Sequence, residues 1–485
     1  MSGSRPTVRP CSLHVPASRR EFLARAGGGL GALALAALAP KSAHSNDHDS
    51  PVANPLAVRP PHFAPRAKRV VWLFMDGGPS QIDLFDHKPL LEKYAGQPLP
   101  PSFKRPVTSM GVTSGTPLMA TPRKFARHGQ CGQWVSDLYP EVAKVVDELC
   151  ILQSCTADGL THVAAVTQAH TGSILLGRPS LGAWALYGLG NETEDLPGFI
   201  VLADGPTEPP GGPTNWGTGF MPAAYQGTRL AQGPQPILNI SPATEIGPER
   251  QRGELAFVQR LNQRYAQQRP DDDVLEARIA SYELAFRMQA KAPQAVDLHS
   301  ETEETLKLYG LDQEPTVANG RNCLLARRLL ERGVRFVQIY MGAGSQWDAH
   351  TDLNGNHTRF CRESDKPIAG FITDLKQRGL LNDTLVIWGG EFGRTPMSES
   401  GTGRDHNPYG YTMFFAGGGV KPGCVFGQTD EVGLYAVENK VHLHDIHATI
   451  LHLIGLDHEG LTFPHNGRDE RLTITEGQII QGILA

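Results

Sequence analysis

No Cys-x-x-Cys pair occurs in the sequence, and its seven cysteines (Cys11, Cys131, Cys150, Cys155, Cys323, Cys361 and Cys424) are widely scattered. That spacing excludes a zinc ribbon and a small disulfide-stapled scaffold. Cys131 and Cys150 read as packing residues, and the six cysteines beyond Cys11 leave room for one or two disulfides in an oxidising compartment. No basic stripe is present. The net charge is −5, with both signs spread along the chain, so nucleic acid is not an expected partner. No apolar run is long enough to cross a bilayer, since the one ending near Ala39 is short and rich in glycine, and no integral span is expected. There is no internal repeat.

What is present first is a targeting segment. Ser18-Arg19-Arg20-Glu21-Phe22-Leu23 precedes a weakly apolar Gly/Ala/Leu stretch with small residues beyond it, the layout of a secretory signal. The paired arginines, backed by Phe22 and Leu23, select the twin-arginine route, which implies a periplasmic or extracellular protein. Residues 1–45 are assigned to this signal and 46–66 to a loose leader, because Pro, Asp and His dominate there without periodicity. The remainder, 67–485, is long enough for one large α/β domain.

Continuous apolar runs at 69–75, 148–152, 198–202, 237–240, 334–340, 384–388 and 411–416 predict strands buried on both faces. Helical patterns at 81–94, 162–176, 322–332, 360–378 and 445–456 alternate with them. This alternation predicts a mostly parallel central sheet with helices on both faces. A charged helical insertion near 250–292 is a candidate docking surface for a partner in an exported complex.

In open α/β sheets chemistry collects at the carboxyl ends of strands, and the polar clusters of this chain fall there. Asp76-Gly77-Gly78 pairs a strand-end carboxylate with backbone left open to close approach. Asp348 and His350 stand two apart, so in extended chain they share a side and can donate O and N to one divalent ion. Asp352 and His357 lie nearby as reserves. Gly389-Gly390-Glu391-Phe392-Gly393-Arg394 joins a carboxylate to an arginine suited to bidentate phosphate or sulfate recognition, or to a salt bridge that shapes the turn. Asp405-His406 is a second carboxylate–imidazole pair. His447 and His452 read as helix-face or capping residues, whereas His442 and His444 are assigned to neither role.

Phe74-Met75-Asp76-Gly77-Gly78-Pro79-Ser80-Gln81, Trp388 to Pro396, Gly403-Arg404-Asp405-His406 and Asp445-Ile446-His447-Ala448-Thr449 together resemble a widespread bacterial family of uncharacterised, twin-arginine-exported proteins. That family in turn resembles the alkaline phosphatase and sulfatase superfamily. The resemblance implies an alkaline phosphatase-like fold, with Asp76 as a metal ligand and Asp348, His350 and His406 as further ligands. His162 and Thr171-Gly172 match the frame around the superfamily's nucleophile, Asp158 occupies the nucleophile's place, and Thr161 stands beside it. Glu391-Phe392 replaces an Asp-His metal pair, which implies an oxygen-rich site and shifts the expected metal from zinc toward calcium, magnesium or manganese. No Cys-x-Pro-x-Arg frame occurs, so a formylglycine mechanism is not expected.

The combined expectation is an exported hydrolase of phosphate or sulfate esters that uses one or two divalent ions (Ca, Mg, Mn or Zn). Its substrate would be an anionic small molecule or polysaccharide. The expected metal ligands are Asp76, Asp348, His350, Glu391, Asp405 and His406, and the expected catalytic residues are Asp158, Thr161 and Arg394. The alternative is a non-catalytic, metal-stabilised binding protein on the same fold.

Overall fold

The computed structural model describes residues 54–485 except 112–114, 232, 234–235, 238–246, 268–282, 285–286 and 290–291. The signal expected at 1–45 and the first part of the expected leader therefore lie outside the described residues, as does most of the strand expected at 237–240.

Nine strands form the central sheet: β1 (Arg69–Met75), β2 (Leu149–Thr156), β3 (Phe199–Ala203), β4 (Thr228–Arg229), β5 (Phe336–Met341), β6 (Thr384–Gly389), β7 (Tyr411–Ala416), β8 (Cys424–Phe426) and β9 (Val441–His442). Their order is β8-β2-β7-β6-β1-β5-β3-β4, with β9 continuing alongside β2. Every pairing is parallel except those of β7, which runs against β2 and β6. The β1 run is apolar from Val70 to Met75 because both of its faces are covered. Val71, Leu73 and Met75 enter one core cluster, and Val70, Trp72 and Phe74 enter the other.

Helices α4 (Val317–Leu330) and α5 (Leu353–Gln377) pack on the first face. Helices α1 (His162–Thr171), α2 (Leu181–Leu189) and α6 (Leu443–Leu453) pack on the second. The insertion supplies α3 (Pro248–Gln267). Among the described residues no helix is long and apolar enough to cross a membrane.

Several expected elements differ from those observed, α4 and α5 by starting about one to two turns earlier than expected, at Val317 and Leu353. The single helix expected at 81–94 is two short helices, Gln81–Leu84 and Leu90–Tyr94, because Pro89 cannot continue a helix through its own turn. Helix α1 stops at Thr171 rather than 176, where Gly172 turns into the left-handed region at φ 74°. The described part of the leader, from Asn54 onward, is docked on the domain. Arg59 donates its backbone N–H to Leu189, His62 to Gly455, and Arg66 and Ala67 to Leu453. Composition misses this because the docking uses main-chain hydrogen bonds, which carry no side-chain pattern. All six cysteines beyond Cys11 are free thiols.

Candidate metal centre

Parallel strands deliver their carboxyl ends to one edge, and β7, being antiparallel, enters the sheet from that same edge. Asp76 follows β1, Asp348 follows β5, Glu391 follows β6, and His406 precedes β7. A short ribbon, Gly393–Arg394 against His406–Asn407, then sets His406 directly opposite Arg394.

Asp348 is the hub. Its Oδ1 lies 2.7 Å from Arg394 Nη1, 3.1 Å from His350 Nε2 and 3.3 Å from His406 Nε2, while its Oδ2 lies 3.2 Å from His162 Nε2. Despite burial, the surrounding histidines and Arg394 hold its carboxyl far below the usual carboxylate range. His162, Asp348, His350 and His406 can each offer one donor atom, all within 4.8 Å of one another.

His162 joins this group to a second pair of carboxylates. Its Nδ1 lies 2.7 Å from Glu391 Oε1. Burial lowers the affinity of the His162 ring for a proton, but Asp348 and Glu391 outweigh that and raise its pKa to about 9. The Nε2 of His162 is buried and, although close to Asp348, makes no aligned hydrogen bond. Glu391 is fully buried and accepts from the backbone N–H of Gly77 at 3.1 and 3.2 Å. Asp76 is also fully buried: its Oδ2 accepts from the N–H groups of Gly344 and Ser345 at 2.7 and 3.1 Å, and its Oδ1 has no partner. Burial first and Glu391 second raise the Asp76 pKa to about 8.

The outer supports fix ring orientation. His406 Nδ1 lies 2.8 Å from the Leu160 carbonyl, which can only accept, so the proton sits on Nδ1 and the Nε2 lone pair faces Asp348. His350 Nδ1 lies 2.5 Å from Glu399 Oε2. A carbonyl or carboxylate behind the far nitrogen is the support that metal-ligating histidines use. Gly77 makes the close packing feasible: it has φ 115°, and a Cβ there would stand 2.5 Å from the Asp348 nitrogen.

Three expectations change at this site. Arg394 is fully buried rather than open to the edge of the sheet. It donates Nε to Gly78 O at 2.9 Å, Nη2 to Gly77 O and Nη1 to Arg404 O, besides pairing with Asp348, so it ties strand-end loops together. Its ionic partner is Asp348 rather than Glu391. Asp405 accepts from Ser109 Oγ (2.8 Å) and from the N–H groups of His406 and Met110, anchoring the loop around 109, and it also forms with His350 and Glu399 a trio of donors within 4.8 Å of one another. Asp158 is not gathered with the Asp348 group; its carboxylate meets Gln168 and His442.

Thr161 is exposed at the N-cap of α1 and makes no side-chain capping bond. The reserves are structural: Asp352 caps α5, and His357 accepts from Ser80 N at 2.9 Å. Sequence reasoning did not enrol His162 or Glu399 as members of the site. The position of His162 at the first turn after a strand end was the available signal. The donor set around Asp348 is also richer in imidazole than expected, because His162 supplies the ring that Phe392 lacks.

Residues 67–484 match the family described as Protein of unknown function (DUF1501). The chain belongs to that family. None of the curated proteins matches this DUF1501 chain. Among solved structures it is similar to the PsFucS1 sulfatase from Pseudoalteromonas sp., at 14% identity and TM-score 0.35, covering 82% of this chain and 69% of that one. It is also similar to alkaline phosphatase from the Antarctic bacterium TAB5, at 12% identity and TM-score 0.31, covering 73% and 92%. A third is the lipoteichoic acid synthase LtaP from Listeria monocytogenes, at 10% identity and TM-score 0.30, covering 83% and 76%. Likeness at this level says nothing about the reaction of the DUF1501 chain, which has to be argued from its own residues.

Proposed function

We propose that this chain is an exported, metal-dependent hydrolase of phosphate or sulfate esters or of a related anionic substrate, small molecule or polysaccharide. The observation that carries the reading is the convergence of His162, His350 and His406 on Asp348, with a buried Asp76 Oδ1 close by that the protein itself leaves unmatched. A buried carboxylate oxygen without a partner is costly, so Asp76 Oδ1 fits a cationic occupant. Three imidazoles and a carboxylate favour zinc or a similar borderline metal over calcium or magnesium. Asp76 and Glu391 would hold a second ion or complete the charge of the first.

When bound, a divalent ion supplies Lewis acidity toward an ester oxygen. The protein's own residues do the rest. The Leu160 carbonyl and Glu399 orient His406 and His350, and Arg394 keeps Asp348 anionic and fixed. With Arg394 committed to backbone and Asp158 turned elsewhere, Thr161 is the expected catalytic residue still placed beside His162. The export half of the reading rests on Arg19-Arg20 and the apolar stretch behind it.

The test is the metal-stripped, metal-reloaded full chain assayed on aryl phosphate, diester and sulfate panels. Turnover in the wild type, lost together with bound metal in Asp348→Asn, is the expected result. Stoichiometric metal at this centre with no turnover on any panel would overturn the hydrolase reading. It would favour a metal-stabilised, non-catalytic protein, for which the absence of an exposed face on Arg394 is the specific motive.

A further inference from the structure

A second group of imidazoles lies where β9 runs into α6. His442 is the N-cap of α6 and His444 its second residue, and the loop at 473–478 brings Glu476 against them. Three backbone N–H groups hold that loop: Glu476 N donates to Thr473 O at 2.9 Å, Gln478 N to Asp445 Oδ1 at 2.7 Å and Ile480 N to Thr449 Oγ1 at 2.9 Å. The Glu476 side chain is 65% exposed, but its backbone is fixed.

The proton positions follow from the partners. His444 Nε2 lies 2.6 Å from the Gly172 carbonyl, which only accepts, so the proton is on Nε2 and Nδ1 offers its lone pair. That Nδ1 lies 3.4 Å from Glu476 Oε2. His442 Nδ1 accepts from the His444 backbone N–H at 3.3 Å, which places its proton on Nε2, and Nε2 lies 3.2 Å from Asp158 Oδ2. His442 Nδ1 lies 3.9 Å from the same Glu476 oxygen. The His444 Nδ1 lone pair and the Glu476 carboxylate oxygen thus face each other beside His442 Nδ1, whose lone pair caps α6, and the three residues' donor atoms all lie within 4.8 Å of one another. Lone pairs facing one another repel unless a cation stands between them.

Each ring also donates its far N–H to a carboxylate or a carbonyl, the arrangement that orients ligating histidines. Asp158 is itself held. Gln168 Nε2 donates to its Oδ2 at 2.5 Å, and Gln168 Oε1 accepts from the N–H groups of Asp158 and Gly159 at 2.9 and 3.2 Å. The one bond an ion would displace, the 3.3 Å contact to His442 Nδ1, is longer than an ordinary N–H···N or N–H···O bond.

We propose that His442 Nδ1, His444 Nδ1 and Glu476 Oε2 form a second site for a divalent ion of the zinc or nickel class, with Asp158 and the Gly172 carbonyl as its outer support. None of its donors belongs to the Asp348 group, so it stands independently of the hydrolase reading. Two nitrogens and one oxygen leave room for water or for an incoming anion in the remaining coordination positions. Exposure of Glu476 gives the ion its entry path.

The test is zinc stoichiometry by elemental analysis and affinity by calorimetric titration, on metal-stripped full chain. The wild type should bind one more equivalent of Zn²⁺ than His444→Gln, and Asp158→Asn should weaken that equivalent by about 10–100-fold. Glu476→Gln, an exposed change that does not threaten folding, should weaken it at least tenfold and serves where His444→Gln fails to fold. Unchanged stoichiometry and affinity in folded Glu476→Gln would overturn the proposal. Asp348→Asn is the control for the other centre and should leave this equivalent in place.

Discussion

The Asp348 centre and the His442–His444–Glu476 group use the same device, an imidazole whose far nitrogen is pinned by an acceptor. They differ in how charge is settled. At Asp348 the carboxylate already has Arg394 and three rings around it, and the guanidinium is wholly buried. At Glu476 no arginine or lysine pairs with the carboxylate among the described residues, and the side chain stands largely in solvent. The first region is therefore part of what holds the fold together, while the second can be altered at little structural cost. A buried ion pair is expensive to break from one side, and an exposed one is not.

The sharpest way to break this comparison is Arg394→Ala. It removes the partner of Asp348 and strands the carbonyls of Gly77, Gly78 and Arg404, so it should cost about 3–5 kcal/mol of stability by denaturant titration. A loss confined to substrate affinity, with unchanged stability, would instead make Arg394 a substrate-binding residue. Gly77→Ala comes next. Backbone strain at positive φ alone costs about 1–3 kcal/mol, and the added Cβ presses on the Asp348 nitrogen, so metal binding at the Asp348 centre should fall while the Glu476 group is spared.

Acid should also act on the fold through buried rings that belong to neither donor set, His357 and His170 among them, with His447 shifted the same way. Burial, as the largest cause, lowers both His357 and His170 from 6.5 to about 3. Both are neutral when folded and take up a proton when unfolded below 6.5, so their contribution is complete above that pH and is lost as pH falls toward 3. Each should remove up to about 1.4 kcal/mol per pH unit across that window. Urea midpoints measured from pH 7.5 down to 4 check the slope, and a flat profile would contradict it. The smallest effect is expected for Glu476→Gln on the metal-free protein, within about 0.5 kcal/mol by thermal melting.

The comparison also explains what could be read from sequence. The β1 and β7 strands were legible to the residue because a run buried on both faces is almost wholly apolar, with only Arg69 at the start of β1 and Thr412 in β7 as polar positions. Asp76, Glu391, Asp348 and His406 were legible as strand-edge residues, since parallel topology sends carboxyl ends to one side. Which of them meet was not legible. Phe392 suggested a lost imidazole, but His162 supplies a ring from the far side of the sheet order, and only the placement of β2 two strands from β6 brings it near. Arg394 looked like an anion receptor because nothing in a linear pattern reveals that its hydrogen bonds go to carbonyls more than 300 residues away in sequence. His442 and His444 could not be assigned because their third member, Glu476, lies 32 residues beyond His444 with no motif between.

Helix α1 carries His162 at its first residue, and Gly172, just past its last, accepts from His444. Ten residues at about 1.5 Å each make it a strut of roughly 15 Å. It is a rigid element with one centre at its head and the other's support at its tail, and no flexible loop intervenes along its length. The spacing between the two centres is then written into a helix length. Lengthening α1 by a single residue would rotate and displace Gly172 relative to His162, and would put the two centres out of register with each other before it disturbed either one alone.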